Sequence, residues 1–389
     1  SVRVIQSILY SLSCTWLLYS AYLFTKNKKI ILYLAFILAL SPLLVAWPRY
    51  VQTETLSIAA TIYLLAELLL SLSKNKIRIF TIALALIFAT WIRLDNIFLT
   101  VPVAVTSIYI YGFKNGVIKG IVIAILLAAT WGGWTIRNIV VDLPSLIPTD
   151  LIMPDGSRSP SGYLKWTKTW ITHEYERPGA LWGINRKNYD GISIPNRAYS
   201  SKEEKISIEH LIDELQEYNL KDFPESIDNK FNNIALNKIE KYPFQHWVIY
   251  PLTRAYRMWS NPFSSFGWPN EMPDRGLSKE ERLSAASGNS NILIQKAIEY
   301  PIHASSKAFN AIYRFTLMLL FLYSLIIIFF KNKDSYLYPL GLITISYAIS
   351  RTIFFSFNSN FETRYMVTVI PFIELIVILT IVPIIYKIK

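Results

Sequence analysis

The sequence contains very little cysteine: Cys14 is the only one among its 389 residues. A single thiol excludes a disulfide within the chain, a zinc cluster built on several cysteines and a CxxC redox pair. The four histidines have neither HExxH nor any other ligand spacing, and we assign no metal to them. They are His173, His210, His246 and His303.

Motifs of nucleotide chemistry are absent as well. There is no Asp-x-Asp pair, so the metal–nucleotide-sugar site of soluble transferases is not visible. The sequence has neither a Walker motif nor a GxGxxG fingerprint, which argues against an ATP-driven pump. No cofactor is therefore predicted; a divalent metal is compatible with the sequence but is not indicated by it.

Acidic residues are outnumbered by basic ones, and the formal net charge is +12. Five short connections, 26–29, 74–78, 114–119, 331–333 and 387–389, together hold twelve basic residues, with one acid, Asp334, beside them. Residues 138–307 are nearly neutral, with 20 basic and 21 acidic residues. Positive charge confined to short loops is typical of the cytoplasmic side of a membrane protein and not of a nucleic-acid surface. We expect no nucleic-acid partner.

Apolar residues make up 52% of the chain and lie in blocks that can cross a bilayer. About 20 such residues in a helix span a hydrocarbon core about 30 Å thick. The blocks predict an all-α polytopic membrane protein with about nine transmembrane segments, two of them short (77–92 and 97–111). The segments are 4–24, 30–47, 55–72, 77–92, 97–111, 116–136, 308–330, 336–355 and 366–386.

Placing the basic connections in the cytoplasm orients every predicted segment. The N-terminus and residues 48–54, 92–96, 137–307 and 356–365 then face outside. Three parts follow: a six-segment bundle (1–137), an extracytoplasmic insertion (138–307) and three closing segments (308–389). The sequence has no Asn-x-Ser/Thr sequon, which favours a bacterial source. We predict a multi-pass protein of the bacterial inner membrane.

The insertion is predicted to be mainly helical, after an irregular start with proline and glycine between residues 144 and 162. The serine cap and acidic first turn at 200–204, followed by apolar residues at 206, 208, 211, 212 and 215, predict an amphipathic helix. A second helix is predicted over 225–241. Residues 243–259 mix Trp, Tyr, Arg and aliphatic side chains, which suits either a helix in the membrane interface or a buried helix of the insertion.

Charged residues collect at the predicted outer ends of the segments. An ionisable group at the centre of a span costs roughly 2.5–3.5 kcal/mol, so such groups call for an explanation. A cluster of both signs at one face indicates a site for a charged, lipid-linked substrate. Its members are Glu54, Arg93, Asp95, Arg137, Arg351, Glu362 and Arg364.

Several of these residues also have a purely structural explanation. Glu54 can interact with the dipole of the helix that it begins, and Arg137 can do so at a helix end. Arg93 can extend its side chain to the membrane interface. Asp95 is two residues further along the chain, so on a helix its side chain is not expected to face that of Arg93.

Arg364 is different, because a cation at a helix N-terminus is disfavoured unless an anion binds there. We expect Arg364 to bind substrate and Glu362 to be its neighbour or a cap. Glu67 and Glu374 lie deeper in their segments, and we expect them to be buried, either protonated or hydrogen-bonded between helices.

Four stretches, in this order, resemble the C-type (GT-C) membrane glycosyltransferases, and most of all the branch of protein O-mannosyltransferases and the lipid A aminoarabinose transferase. They cover about residues 1–140 and 340–389, while the insertion resembles no known family. The stretches are Ser1–Leu9 with Leu40–Pro42 and Gln52–Leu56, then Trp91–Asp95 through Val101-Pro102, then Trp131–Asn138, and finally Glu362–Tyr365 followed by Pro371.

The resemblance implies a GT-C-like fold, a polyprenyl-phosphate-linked sugar as donor, an extracytoplasmic active site and inversion at the anomeric carbon. The acceptor would be a protein, a lipid or a glycan. It also implies that Arg93 and Arg364 contact the donor phosphate and that Glu54 has a supporting catalytic role. The further candidates for substrate binding are Asp95, Arg137, Asn138, Arg351, Glu362 and Tyr365.

Two other functions remain open from the sequence. One is an outer-leaflet polysaccharide ligase or polymerase that uses a polyprenyl diphosphate. The other is a transporter or flippase, although charge at one face, a neutral insertion and the lack of an internal repeat favour an enzyme.

The chain starts with Ser1 and enters an apolar segment directly. Under the resemblance we expect an upstream membrane helix and an acidic external loop that supplies the principal catalytic base. The alternative is a natural start near Ser1, which would favour a transporter.

Overall fold

The computed structural model describes residues 2–141, 159–261, 290–331, 336–359 and 361–386. These ranges are helical, with short 3-10 and π turns and no β-strand among them. The α-helices are α1 (Val2–Thr25), α2 (Lys28–Leu40), α3 (Thr53–Ser73), α4 (Ile79–Ile92), α5 (Thr100–Val140), α6 (Ser161–Lys168), α7 (Arg177–Asn185), α8 (Lys202–Gln216), α9 (Glu225–Lys241), α10 (Tyr250–Ser260), α11 (Ser290–Glu299), α12 (Pro301–Ile326), α13 (Tyr338–Ser356) and α14 (Ile370–Tyr386).

Five helical stretches in the described residues are long and apolar enough to cross a membrane, and α4 is apolar but shorter. The protein is therefore a helical protein with segments suited to a membrane, and the count of nine spans stays a prediction. The predicted segment 30–47 is only partly helical, because α2 ends at Leu40 before Ser41-Pro42. The five stretches are Val2–Thr25, Thr53–Ser73, Leu94–Val140, Pro301–Lys331 and Thr363–Tyr386.

The chain divides into two compact units. Residues 1–128, 261–348 and 367–389 form the first, named the membrane unit because α1, α3, α12 and α14 belong to it. Residues 129–260 and 349–366 form the second, named the insertion unit. The insertion unit is thus built from two separate stretches of chain.

Helix α3 is the most buried helix of the membrane unit and packs against α1 and α4. Its Glu67 is completely buried, and it accepts hydrogen bonds from Trp16 Nε1 at 2.8 Å and Thr81 Oγ1 at 2.6 Å. Arg78 adds an ion pair at 2.9 Å. The expectation that Glu67 is buried and hydrogen-bonded between helices is confirmed.

Helix α14 packs against α12 and α2. Its Glu374 is also completely buried and accepts hydrogen bonds from Ser41 Oγ at 2.5 Å and from Tyr313 OH at 2.7 Å. Burial without a partner would be costly for a carboxyl group, so these two hydroxyls explain why the residue is tolerated in an apolar helix. The expectation for Glu374 is confirmed as well.

The helical stretch α5 contains a sharp reversal at Gly112, whose φ of 73° and ψ of 171° are not helical. This lies between the predicted segments 97–111 and 116–136. After the reversal the backbone passes so close to Ile108 that a Cβ on Gly116 would lie 2.5 Å from the Ile108 Cα. Ser107 Oγ donates to the Gly116 carbonyl at 3.0 Å. Glycine at 112 and 116 is therefore what permits this helical hairpin.

The insertion unit has its own aromatic core. Trp166 and Trp170 are tilted against each other with ring centroids 5.5 Å apart, and Phe231 of α9 packs on Trp166 at 5.3 Å. Phe355 and Phe361 from the second stretch of chain join the same core. Residues 349–366 are therefore an integral part of this unit.

Arg254 of α10 links the two stretches of the insertion unit. It is 1% exposed and donates to the carbonyls of Lys168 at 2.6 Å, Ile171 at 2.8 Å and Ser356 at 3.1 Å. Burial lowers the pKa of its guanidinium to about 10, so it remains charged at neutral pH. Three carbonyl dipoles replace the water that the charge has lost.

The helices predicted for the insertion are confirmed. Helix α8 begins after Ser201, whose side chain accepts from the Glu204 amide, and α9 covers Glu225–Lys241. The prediction that Ile206 belongs to the apolar face of α8 is wrong, because this residue is 67% exposed. Helix α10 buries Pro251, Arg254 and Met258 but exposes apolar residues, and its place in a membrane interface stays a prediction.

Some sequence predictions fall outside the described residues. They concern the proline- and glycine-rich start of the insertion over residues 144–158, and the charged residues Lys333, Asp334, Lys387 and Lys389.

Candidate functional site

In the membrane unit, Glu54, Arg93 and Asp95 form one ion-paired cluster. Arg93 donates from NH1 to Glu54 Oε1 at 2.9 Å and from Nε to Asp95 Oδ1 at 2.9 Å. Its NH2 lies 3.5 Å from Asp95 Oδ2. Glu54 is in the first turn of α3, as predicted, and is 4% exposed.

The expectation that Arg93 and Asp95 do not face each other is wrong. It assumed a continuous helix, but α4 ends at Ile92 and Arg93 is extended, with a φ of −151°. Asp95 lies in the following 3-10 turn, so its carboxylate returns to the same guanidinium. Asn96 fixes this turn by donating to Ser57 Oγ at 2.7 Å and to the Ala89 carbonyl at 2.8 Å.

Among the residues that the structure describes, one guanidinium faces two carboxylates in this cluster. Such a group offers carboxylate oxygens more readily than it offers N–H donors. It is therefore better suited to orienting hydroxyl groups than to holding a phosphate.

In the insertion unit, Glu362 lies between two arginines. Arg177 NH2 is 2.7 Å from Glu362 Oε1, and Arg364 NH2 donates to the same oxygen at 3.1 Å. Arg364 Nε contacts the other oxygen, Oε2. The expectation that Glu362 is the neighbour of Arg364 is confirmed. Arg177 was not predicted as a partner, because it is far from Glu362 in the sequence.

Neighbouring contacts hold this second cluster in place. Glu174 accepts from Thr363 Oγ1 at 2.9 Å, next to Glu362 in the chain. Arg351 is 1% exposed and donates from Nε and NH2 to the Tyr365 carbonyl at 3.1 and 2.8 Å. Arg351, a predicted substrate ligand, therefore holds the backbone of the segment that carries Arg364.

Aromatic rings complete the support of this segment. Tyr365 stacks on Phe355 with ring centroids 4.6 Å apart, and the Arg364 guanidinium lies 5.6 Å from the Tyr365 ring. Together the held segment and its partners contain three guanidinium groups, Arg177, Arg351 and Arg364, and two carboxylates, Glu174 and Glu362. Counted over the described residues, guanidinium groups therefore outnumber carboxylates in the second cluster.

The last two predicted residues, Arg137 and Asn138, are in the final turns of α5, where a cation near a helix C-terminus was expected. Arg137 NH1 donates to Asn138 Oδ1 at 3.0 Å, and Asn138 is 2% exposed. This pair has the features of a stabilised helix end.

Among the residues that the structure describes, no group of three or more His, Cys, Asp or Glu side chains could hold a metal ion. No protein-family model, no curated protein and no solved structure matches the chain.

Proposed function

We propose that this chain is an integral-membrane glycosyltransferase that transfers a sugar from a polyprenyl-phosphate donor to an acceptor hydroxyl outside the cytoplasm. The observation that carries the proposal is the second cluster, in which Arg177 and Arg364 share the buried carboxylate of Glu362. An excess of guanidinium groups with fixed orientation suits a phosphate oxyanion, which accepts forked, charge-assisted hydrogen bonds.

The proposed reaction explains why cationic groups would be important in this site. The acceptor oxygen forms a bond to the anomeric carbon, and the bond from that carbon to the phosphate oxygen breaks, so the electron pair leaves with the phosphate. The acceptor hydroxyl loses its proton to a base. The leaving phosphate gains negative charge, and pre-oriented guanidinium groups stabilise it in the transition state. Attack from the opposite face inverts the anomeric carbon.

The phosphate role expected for Arg93 is not proposed here, because Glu54 and Asp95 already hold its guanidinium. Glu54 keeps a supporting role. The phosphate role falls to Arg364, together with Arg177.

The test is donor binding by Arg364→Ala, measured with the purified full chain in nanodiscs and a polyprenyl-phosphate sugar. Losing a charged hydrogen bond of about 1.5–3 kcal/mol should weaken binding by roughly ten- to a hundredfold. Arg364→Lys keeps the charge but loses the fork, and it should retain only part of the affinity. Arg186→Ala is the matched control, since it removes an exposed arginine from the same unit.

Donor binding that is unchanged in a folded Arg364→Ala variant, or equally weakened by Arg186→Ala, contradicts the proposal. A preference for a polyprenyl-diphosphate donor would favour a ligase or polymerase instead. Movement of the intact lipid-linked sugar across proteoliposomes, with no transfer to any acceptor, would favour a flippase.

A further inference from the structure

The insertion unit contains a polar cavity of about 160 Å³, and its lining includes no member of the two charged clusters. It lies among the residues just before α8, the C-terminal part of α9 and the π turn at Gln245–Ile249 that precedes α10. Its lining residues include Arg197, Tyr199, Lys238, Tyr242, Gln245 and His246. None of the lining residues is acidic.

Each of the two cations of this cavity, Arg197 and Lys238, is fixed by one carboxylate and one backbone carbonyl. Arg197 donates from Nε to Glu176 Oε1 at 2.6 Å and from NH1 to the Trp170 carbonyl at 3.1 Å. Lys238 donates to Glu204 Oε1 at 3.1 Å and to the Ala198 carbonyl at 2.5 Å. An ammonium group has three donors, so Lys238 retains one N–H for a ligand.

His246 adds a polar ring to the lining of the cavity. Its Nδ1 is buried and makes no hydrogen bond in the structure. Burial, and also the charges of Arg254 and Lys168, lowers the pKa of His246, so at neutral pH the ring offers one donor and one acceptor nitrogen. It belongs to a π turn, and single π turns inside helices are frequent at functional sites.

We propose that this cavity binds one acidic sugar residue, a pyranose that carries a carboxylate. Tyrosine rings at 199, 242 and 250 can pack against the apolar C–H face of the ring, while Gln245 and His246 satisfy its hydroxyls. Lys238 contacts the carboxylate. The volume is below the roughly 300–1,000 Å³ of pockets for drug-sized ligands, which favours one sugar unit over a nucleotide or a longer glycan.

The binding of this sugar does not depend on the transfer reaction. If the proposed function also holds, the cavity suits the acceptor better than the donor, because its lining is mainly hydroxyl, amide, imidazole and cationic groups. That assignment to the acceptor, unlike the binding itself, rests on the proposed function.

The experiment compares two sugars that differ by one carboxylate, methyl β-D-glucuronide and methyl β-D-glucoside, with the purified full chain in detergent. Saturation-transfer NMR and calorimetry should give binding of the glucuronide about tenfold tighter, because the carboxylate gains a charge-assisted contact. Tyr242→Ala and His246→Ala should each abolish most of this binding. Tyr218→Ala is the matched control: like Tyr242, Tyr218 is 37% exposed, but it does not line the cavity.

Equal binding of the two sugars, or equal losses in Tyr242→Ala and Tyr218→Ala at unchanged unfolding temperature, overturns the proposal. So does displacement of the glucuronide by inorganic phosphate at the same concentration, which would indicate a general anion site. Glucuronide binding by a chain that does not bind the polyprenyl-phosphate donor leaves this inference intact and rejects the proposed function. Donor binding without glucuronide binding rejects this inference and leaves the proposed function intact.

Discussion

The side chain of Glu362 has two arginine partners, and this determines how each of them responds to mutation. If Arg177 or Arg364 is removed alone, the buried carboxylate keeps one guanidinium. If both are removed, it becomes an uncompensated buried charge, a situation that typically destabilises a protein by about 3–5 kcal/mol. The two arginines are therefore expected to be energetically coupled.

We expect the double variant Arg177→Ala/Arg364→Ala to lose more stability than the sum of the single variants, with a coupling energy of about 0.5–3 kcal/mol. Denaturant unfolding of the insertion unit, followed by fluorescence of its buried tryptophans, measures this. Adding Glu362→Gln to the double variant removes the charge and should restore part of the stability. Additive losses would mean that the arginines do not share the carboxylate.

Contacts between near neighbours in the chain were the easiest to predict at this scale. The pairing of Glu362 with Arg364 follows from their separation by one residue, and the caps of α8 follow from Ser201 and Glu204. The role of Arg177 does not follow, because no local pattern connects it with residue 362. The error for Arg93 and Asp95 came from extending a helix past its actual end at Ile92.

Among the elements, the helical hairpin at Gly112 depends most on a single type of residue. At Gly116 a methyl group would overlap the backbone of Ile108, whereas at Gly120, one helical turn further, it would meet nothing within 4 Å. These two glycines form a natural pair of test and control, because both lie in the same helix.

Gly116→Ala should destabilise the membrane unit by about 1–3 kcal/mol through overpacking. Gly120→Ala should be neutral or stabilising by up to about 1 kcal/mol, since alanine is the better helix former. Cys14, the only thiol of the chain, is half-buried in α1 of this unit, so its reaction with a fluorogenic thiol dye during heating reports the unfolding. Equal effects of the two substitutions would contradict the close approach of Gly116 and Ile108.

The sequence predicts that most of the helices exist, but it does not always predict where they end. Helices α8 and α9 follow from capping residues and apolar periodicity. The segment 30–47 is apolar throughout, but Ser41-Pro42 ends α2 early, since proline disfavours the helical conformation of the residue before it. Hydropathy alone does not predict this end of the helix.

For the molecule as a whole, the main prediction is orientation. The basic loop at residues 74–78 is expected in the cytoplasm, and residues 137–307 are expected on the other side of the membrane. In a Cys14→Ser background, Glu217→Cys should react with a membrane-impermeant maleimide in intact spheroplasts. Lys76→Cys should react only in inverted vesicles, although both positions are exposed. Labelling of both variants from the same side would contradict the orientation and with it the proposed location of the active site.

The two-part construction of the insertion unit has a consequence for the order of events during synthesis. Its first stretch ends at Ser260, but Arg254 needs the Ser356 carbonyl and the aromatic core needs Phe355 and Phe361. Ribosomes add about 5–20 residues per second, so the first stretch waits while α12 and α13 are made. During that interval Trp166 and its neighbours lack part of their packing. The unit therefore completes its fold only late in synthesis, after residue 361 has been added.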